Sequence, residues 1–205
     1  MNQFIIIAVL IIIFILIFSL AKAFGARRKV EKEFETKGID FLISSLKSED
    51  PNIKEQAITK LGKIKDPRAT DALIDFIKTP EVQEDEEGYF LSLALNSLSN
   101  IGDEKAKKFF LSSFQDERLG FRALIALSLG NMAQKKIKIF EAIEPLILLL
   151  KDLVEAKEGK NPEFYNEYLD WTEEALRSIT EQNFGIDVAK WEKWYKENKE
   201  IYLVH

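Results

Sequence analysis

The sequence predicts an all-α protein: an α-solenoid of about four helical pairs with a C-terminal capping helix, preceded by one transmembrane helix. Three observations carry that expectation. A helical hairpin pattern, first seen in Ala57–Ile77, recurs along the chain. Phe4–Leu20 is apolar at every position but Ser19. Glycine and proline number only 9 and 5 in 205 residues, which suits helices better than many short strands.

Composition removes several functions before any motif is read. Lys and Arg total 29 against 34 Asp and Glu, for a net charge of -5. A nucleic-acid partner is not expected, because phosphate binding needs a basic field. Cysteine is absent, so there is no disulfide framework and no thiol nucleophile. The one histidine is the last residue, His205, which argues against histidine-based catalysis or zinc binding. No catalytic residue, metal ligand, cofactor or small-molecule substrate is evident.

Taken in order, residues 4–24 read as a membrane anchor. Phe4–Leu20 is 17 residues long, about 26 Å as a helix, close to the thickness of a bilayer's hydrocarbon core. A core helix would have a polar face, and this segment has none. Ala21-Lys22-Ala23 resembles a signal-peptidase site, so a cleaved signal peptide and export of the remainder is the alternative. Against it, Met1-Asn2-Gln3 carries no Lys or Arg, and the apolar run is long for an h-region. Lys22, Arg27, Arg28, Lys29 and Lys32 follow the run, and the positive-inside rule then leaves the C-terminal side in the cytoplasm. Arg27, Arg28 and Lys29 flank the anchor and could touch anionic headgroups. Residues 25–37 read as a charged helical stalk, with Val30 and Phe34 its main apolar residues.

Residues 38–185 carry the repeats. Ala57, Leu61 and Ile64 share one face of a helix. Asp66 then caps the next helix, with Pro67 at its first position, where no hydrogen-bond donor is lost. Ala69, Leu73, Phe76 and Ile77 form that helix's apolar stripe. A hairpin with one apolar side cannot bury it alone and needs like neighbours. The pattern Ala69-x-x-Ala72-Leu73-x-x-x-Ile77 returns at Gly38, Ala106 and Ala142, giving successive spacings of 31, 37 and 36 residues. Leu61-x-x-Ile64 returns as Leu98-x-x-Ile101, Leu129-x-x-Met132 and Leu176-x-x-Ile179. Four pairs follow, roughly 38–66, 67–102, 103–133 and 137–180.

Lys60–Ile77, KLGKIKDPRATDALIDFI, resembles HEAT repeats, in particular the short phycobilisome-lyase-type subclass. The resemblance runs from about Gly38 to Ile179. Leu-Gly-x-Ile-x-Asp-Pro-x-Ala at 61–69 carries it best. Later copies are degenerate: Ser99 replaces Gly62, and Gln134 falls where Asp66 would be. The resemblance implies a right-handed α-solenoid of HEAT-like pairs that serves as an interaction surface. Some relatives are bilin lyases or repair enzymes, so a lyase-type enzyme is the rival reading. Only carboxylates, lysines and tyrosines are available for such chemistry. The adjacent acids Glu173-Glu174 and Asp116-Glu117 point different ways on a helix.

Two segments break the spacing. Glu81–Gly88 is acidic but lacks the D-x-[DN]-x-[DN]-G order of a calcium loop, and reads as solvated. Ala156–Pro162 is a polar linker. Beyond it, Phe164, Tyr168, Trp171 and Ala175 recur at helical period as a core stripe. Gly185 is expected to end that helix. Residues 186–205 form the capping helix and tail, in which Trp191 and Trp194 share a face and cover the last hydrophobic surface.

The expected function is therefore that of a membrane-tethered scaffold holding a protein partner on its repeats. The partner-binding residues would be Lys60, Lys63, Asn96, Asn100, Arg122 and Asn131, on the second helix of each pair. Lys54, Ser97 and Ser128 belong to the same expected binding face, beside the core stripes.

Overall fold

A computed structural model describes residues 12–19, 21–22, 25, 32, 37–84, 88–159 and 162–203, and every regular element among them is helical. The chain divides into two compact units, Met1–Ala57 and Ile58–His205.

In the first unit, residues 12–19 are helical and their apolar side chains point into solvent, Phe14 at 69% exposure. The Phe14 and Phe18 rings, one turn apart, stack with centroids 6.4 Å apart. Among the described residues no helix is long and apolar enough to cross a membrane. Much of the expected anchor, including residues 4–11 and Leu20, lies outside the described residues, as do Arg27, Arg28, Lys29, Val30 and Phe34. Helix α1 (residues 37–45) buries Leu42, and its Ser45 hydroxyl donates to the Phe41 carbonyl. Helix α2 (Pro51–Ile64) starts where Asp50 Oδ1 accepts the Asn52 N–H at 2.9 Å.

Among the described residues the second unit contains the end of α2 and eight further helices: α3 (Pro67–Ile77), α4 (Pro80–Gln83), α5 (Tyr89–Ile101), α6 (Glu104–Ser112), α7 (Leu119–Gln134), α8 (Ile143–Gly159), α9 (Pro162–Thr180) and α10 (Val188–Leu203). Asp66 caps α3 by accepting the Arg68 N–H, with Pro67 at the first helical position. Asp103 caps α6 through the Ala106 N–H in the same way.

These helices form two layers. In one, α5 packs on α7 and α7 on α9, the latter the most extensive helix contact among the described residues. The other contains α3, α6, α8 and α10. It is tied together by side chains about one repeat apart. Thr70 donates to Asp103 at 2.7 Å, Lys105 pairs with Asp71, and Lys107 pairs with Glu141 in the turn before α8. Each pair, α3 with α5, α6 with α7 and α8 with α9, spans both layers. This stacking of helical pairs fits an α-solenoid.

Small residues set the spacing of the first layer. A Cβ on Gly62 would lie 2.7 Å from the Ser97 Cβ and 2.8 Å from its Cα, so α2 and α5 approach backbone to backbone. A Cβ on Gly130 of α7 would lie 3.3 Å from the Ala175 Cα of α9. Gly62 and Gly130 both follow the repeat leucine, Leu61 or Leu129, and Ser97 and Ala175 both precede theirs, Leu98 and Leu176. The two interfaces therefore share one register. Ser99 and Ser128, the matching positions on α5 and α7, are both buried.

The helices of this layer also end alike. Lys65, Gly102, Lys136 and Glu181, just past α2, α5, α7 and α9, all have left-handed φ between 56° and 63°. Only one is glycine, although the conformation favours it. The two lysines place positive charge at helix C-termini, which offsets the cost. Glu181, not Gly185, therefore terminates α9, its N–H bonding the Arg177 carbonyl at 2.8 Å. Gly185 serves the next helix instead, its carbonyl accepting the Trp191 indole N–H at 2.8 Å.

The repeat-equivalent residues Leu73, Phe110 and Leu146 are each fully buried. Ala69, Phe76 and Ile77 are buried as the α3 stripe requires, whereas Ile64, on the last turn of α2, is 50% exposed. The aromatic stripe of α9 is displaced from the core. Tyr168 and Trp171 are half-buried at its margin, while Leu169, Thr172, Ala175, Leu176 and Ile179 fill the interior; the Phe164 side chain lies outside the described residues. Helix α10 packs on α8 and on the turn Phe140–Ala142. Its Trp191 is fully buried beneath Phe184, and Trp194 meets it edge-on.

The close approaches give a graded prediction. Gly62→Ala has to displace backbone and should lower unfolding stability by about 1–3 kcal/mol. Gly130→Ala, whose Cβ meets looser contacts, should cost less. Equal urea midpoints for the two variants would contradict the assigned spacing.

Candidate functional site

The six residues expected to bind a partner fall on α2, α5 and α7, but the structure gives them unequal roles. Lys63 and Asn96 are exposed, and Lys60 and Asn131 are half-buried. Asn100 Oδ1 accepts a 2.6 Å bond from Lys135 Nζ, which also donates to the Ser99 carbonyl. Burial, and then the charge of Lys65, hold Lys135 below the ordinary lysine range. Arg122 donates to Asp152 across the α7–α8 contact at 2.8 Å. Its Nε is buried with no acceptor among the described residues, a loss that normally has to be offset elsewhere. Ser97 and Ser128 are interior groups. Ser97 Oγ donates to the Ile58 carbonyl at 3.0 Å, and Ser128 Oγ to the Leu124 carbonyl at 2.9 Å. Lys54 is also buried.

A cleft of about 420 Å³ opens elsewhere, where one helical pair meets the next. The end of α3 and the short α4 supply Ile77, Lys78 and Gln83. The end of α6 and its 3-10 turn Ser113–Gln115 supply Phe109, Ser112 and Ser113. The entry to α7 supplies Asp116, Arg118 and Phe121. The volume lies within the range of about 300–1,000 Å³ usual for ligand pockets.

Arg118 organises this cleft. Its Nε and Nη2 meet both Asp116 oxygens, at 2.9 and 2.8 Å, and Nη2 also reaches Gln83 Oε1 at 3.0 Å. Its guanidinium lies 4.9 Å from the centre of the Phe121 ring. The same clasp occurs at Asp66 and Arg68, so Asp-x-Arg holds the chain at the entry to both α3 and α7. The Arg118 guanidinium holds the Asp116 carboxyl below the ordinary carboxylate range, and Asp116 in turn raises Arg118. Ser112 and Ser113 both donate their hydroxyls to the Phe109 carbonyl. Their oxygens keep lone pairs for a further donor.

Residues 17–87 match the family model for HEAT repeats. The match and the stacked helical pairs together support a HEAT-repeat protein. It begins before the first repeat read from the sequence and ends before α5. No curated protein matches the chain.

Asp116 stood out in the sequence only as half of an adjacent acid pair. Phe109 stood out only as a repeat position matching Ala72, and Lys78, Arg118 and Phe121 did not stand out at all. The recurrence of Asp-x-Arg at 66–68 and 116–118 was the available signal. Two further carboxylates considered for chemistry have partners: Glu174 bonds Arg177, Ser178 and Gln134, and Glu173 lies 3.9 Å from the Arg177 guanidinium. Of the acidic loop, Asp85, Glu86 and Glu87 lie outside the described residues. Among the described residues no group of three or more His, Cys, Asp or Glu could hold a metal ion.

Because its folded pKa is lowered, the Asp116 carboxylate contributes stability above its unfolded pKa and loses it as pH falls through the folded value. Asp116→Asn should therefore be less stable than the parent at pH 7. That gap should start to narrow once the pH falls below about 4, the ordinary aspartate value, and go on narrowing at lower pH in thermal unfolding. A gap independent of pH would contradict the ionic clasp.

Proposed function

We propose that this protein is a membrane-tethered HEAT-repeat scaffold or adaptor that holds a protein partner on the surface of its helical pairs. The observation that carries the reading is the stack itself. The helical pairs and the end of α2 stack into layers whose outward positions, such as Lys63 and Asn96, are polar and exposed. HEAT repeats commonly mediate protein–protein contact, and the match to their family model supports that use here. We read the protein as a binding module and not a catalyst, because Asp116 and Arg118, the ionised pair in the cleft, neutralise one another.

The tether rests on the N-terminal segment. Phe4–Leu20 is apolar without a charge, and its described residues 12–18 expose large hydrophobic side chains on every side. Water disfavours such a helix, and a bilayer accommodates it. The basic cluster after it orients the repeats toward the cytoplasm.

One experiment addresses both parts. Membranes bearing the full chain are washed with alkaline carbonate, and photo-crosslinkers are placed at Lys63, at Asn96 and, as a control, at Glu197 on α10. The chain should stay with the membranes, and deletion of residues 1–25 should release it. The crosslinkers at Lys63 and Asn96 should trap one and the same protein, which the control should not. Release of the full chain, mature protein beginning at Phe24, or identical trapping from Glu197 would contradict the proposal.

A further inference from the structure

We infer that the cleft between the pairs α3–α5 and α6–α7 is a docking site for a short acidic segment of a partner protein. The segment would insert one apolar side chain between Phe109 and Phe121 and set a neighbouring carboxylate against Lys78 and Arg118. The inference rests on the reading of the repeats as a protein-binding module.

The lining divides into three kinds of group. Phe109, Phe121 and Ile77 form the apolar wall; both phenylalanines are only half-buried although they sit between packed helices. Half-buried aromatics facing one space are what an inserted side chain would cover, with gains beyond simple area burial. The Ser112 and Ser113 oxygens are acceptors, their protons already given to the Phe109 carbonyl, and suit the N–H groups of an extended chain. The third kind is cationic. Lys78 is exposed at the rim and has no ion pair among the described residues. Arg118 spends Nε and Nη2 on Asp116 and Gln83, which leaves Nη1 without a bond among the described residues.

Charge selects the partner. Lys78 and Arg118 against Asp116 leave the lining with one excess positive charge, in a chain whose net charge is -5. The lining itself is cationic, so an acidic segment suits it better than a basic one. Asp116 and Gln83 also hold the guanidinium in place over the Phe121 ring, so an incoming carboxylate meets a cation already fixed in position.

Neighbouring lysines do not make an equivalent site. Lys65 and Lys135 lie at helix C-termini, where backbone carbonyls already supply negative charge, and Lys135 is bonded to Ser99 and Asn100.

The test uses full-length protein in detergent and the probe acetyl-Phe-Glu-Glu-amide, followed by saturation transfer to its phenyl protons. Acetyl-Phe-Lys-Lys-amide and acetyl-Ala-Glu-Glu-amide, the latter read at its methyl protons, are compared with it. The acidic phenylalanine probe should bind about tenfold or more tightly than either. Arg118→Gln should weaken it by a similar factor. Arg118 also supports the fold, so Lys78→Gln, at an exposed residue, provides the second variant and should weaken binding severalfold with an unchanged melting temperature. Equal binding of the lysine probe, equal binding of the alanine probe or an affinity untouched by Lys78→Gln would overturn the assignment. Since the probe reads the cleft alone, that failure is distinct from loss of membrane retention or of crosslinking at Lys63 and Asn96.

Discussion

Where Gly62 meets Ser97 and Gly130 meets Ala175, there is little or no room for a further methyl group, and the layer of α5, α7, α9 and the end of α2 takes its spacing from those contacts. Neighbouring helices usually pack at 8–10 Å, set by the side chains between them. Reducing those side chains to a hydrogen, a hydroxymethyl or a methyl group brings backbones together and lets the leucines on either side interlock. Leu61, Leu98, Leu129 and Leu176 are accordingly all fully buried. Because the small residue follows the leucine on one helix and precedes it on the next, the α2–α5 and α7–α9 junctions have the same offset. A repeated offset propagates as a stack, and no pair in such a stack buries its apolar face without its neighbours.

The second layer follows from the first. With α5, α7 and α9 fixed, the connections bring the starts of α3 and α6 within reach of one another. Asp103 then does two jobs, capping α6 and accepting the Thr70 hydroxyl from α3. Exposed pairs such as Lys105–Asp71 add little by themselves. Their regular recurrence reflects the register more than it creates it. The cleft is a consequence of an irregularity in the same scheme. The short helix α4 follows α3 there, and a 3-10 turn precedes α7. Arg118 bridges the gap that results.

Much of this was legible in the sequence, because periodicity and capping are local. Asp66 and Pro67 announced the start of α3, and the repeat pattern of Leu73, whose counterparts are Phe110 and Leu146, marked the core. The misread positions depended on tertiary neighbours. Ile64 continues the stripe of α2 yet lies on an exposed last turn. Tyr168 and Trp171 keep the helical period of α9, but Gly120 of α7 brings the Tyr168 hydroxyl beside the α7 backbone, at the edge of the core. Gly185 looked like a helix stop because glycine tolerates positive φ, while the chain turns four residues earlier at Glu181. Ser97 and Ser128 looked like surface residues because serine is polar. Their hydroxyls bond backbone carbonyls inside the layer, where only a small side chain fits. The cleft was hidden for a related reason: its residues come from three separate stretches, and only folding brings them together.

The shared register of small residues can be measured directly because the chain contains no cysteine. A Cβ at position 130 lies 3.5 Å from the Ala175 Cβ, within the 3.5–4.5 Å span of a disulfide. Gly130→Cys combined with Ala175→Cys should therefore oxidise to completion in the folded protein, seen as loss of both free thiols and a faster non-reducing gel band. Gly130→Cys with Ser178→Cys, one turn further along α9, should keep its thiols under the same conditions. Bridging in the shifted pair, or free thiols in the registered one, would contradict the stacking on which the fold and its surfaces depend.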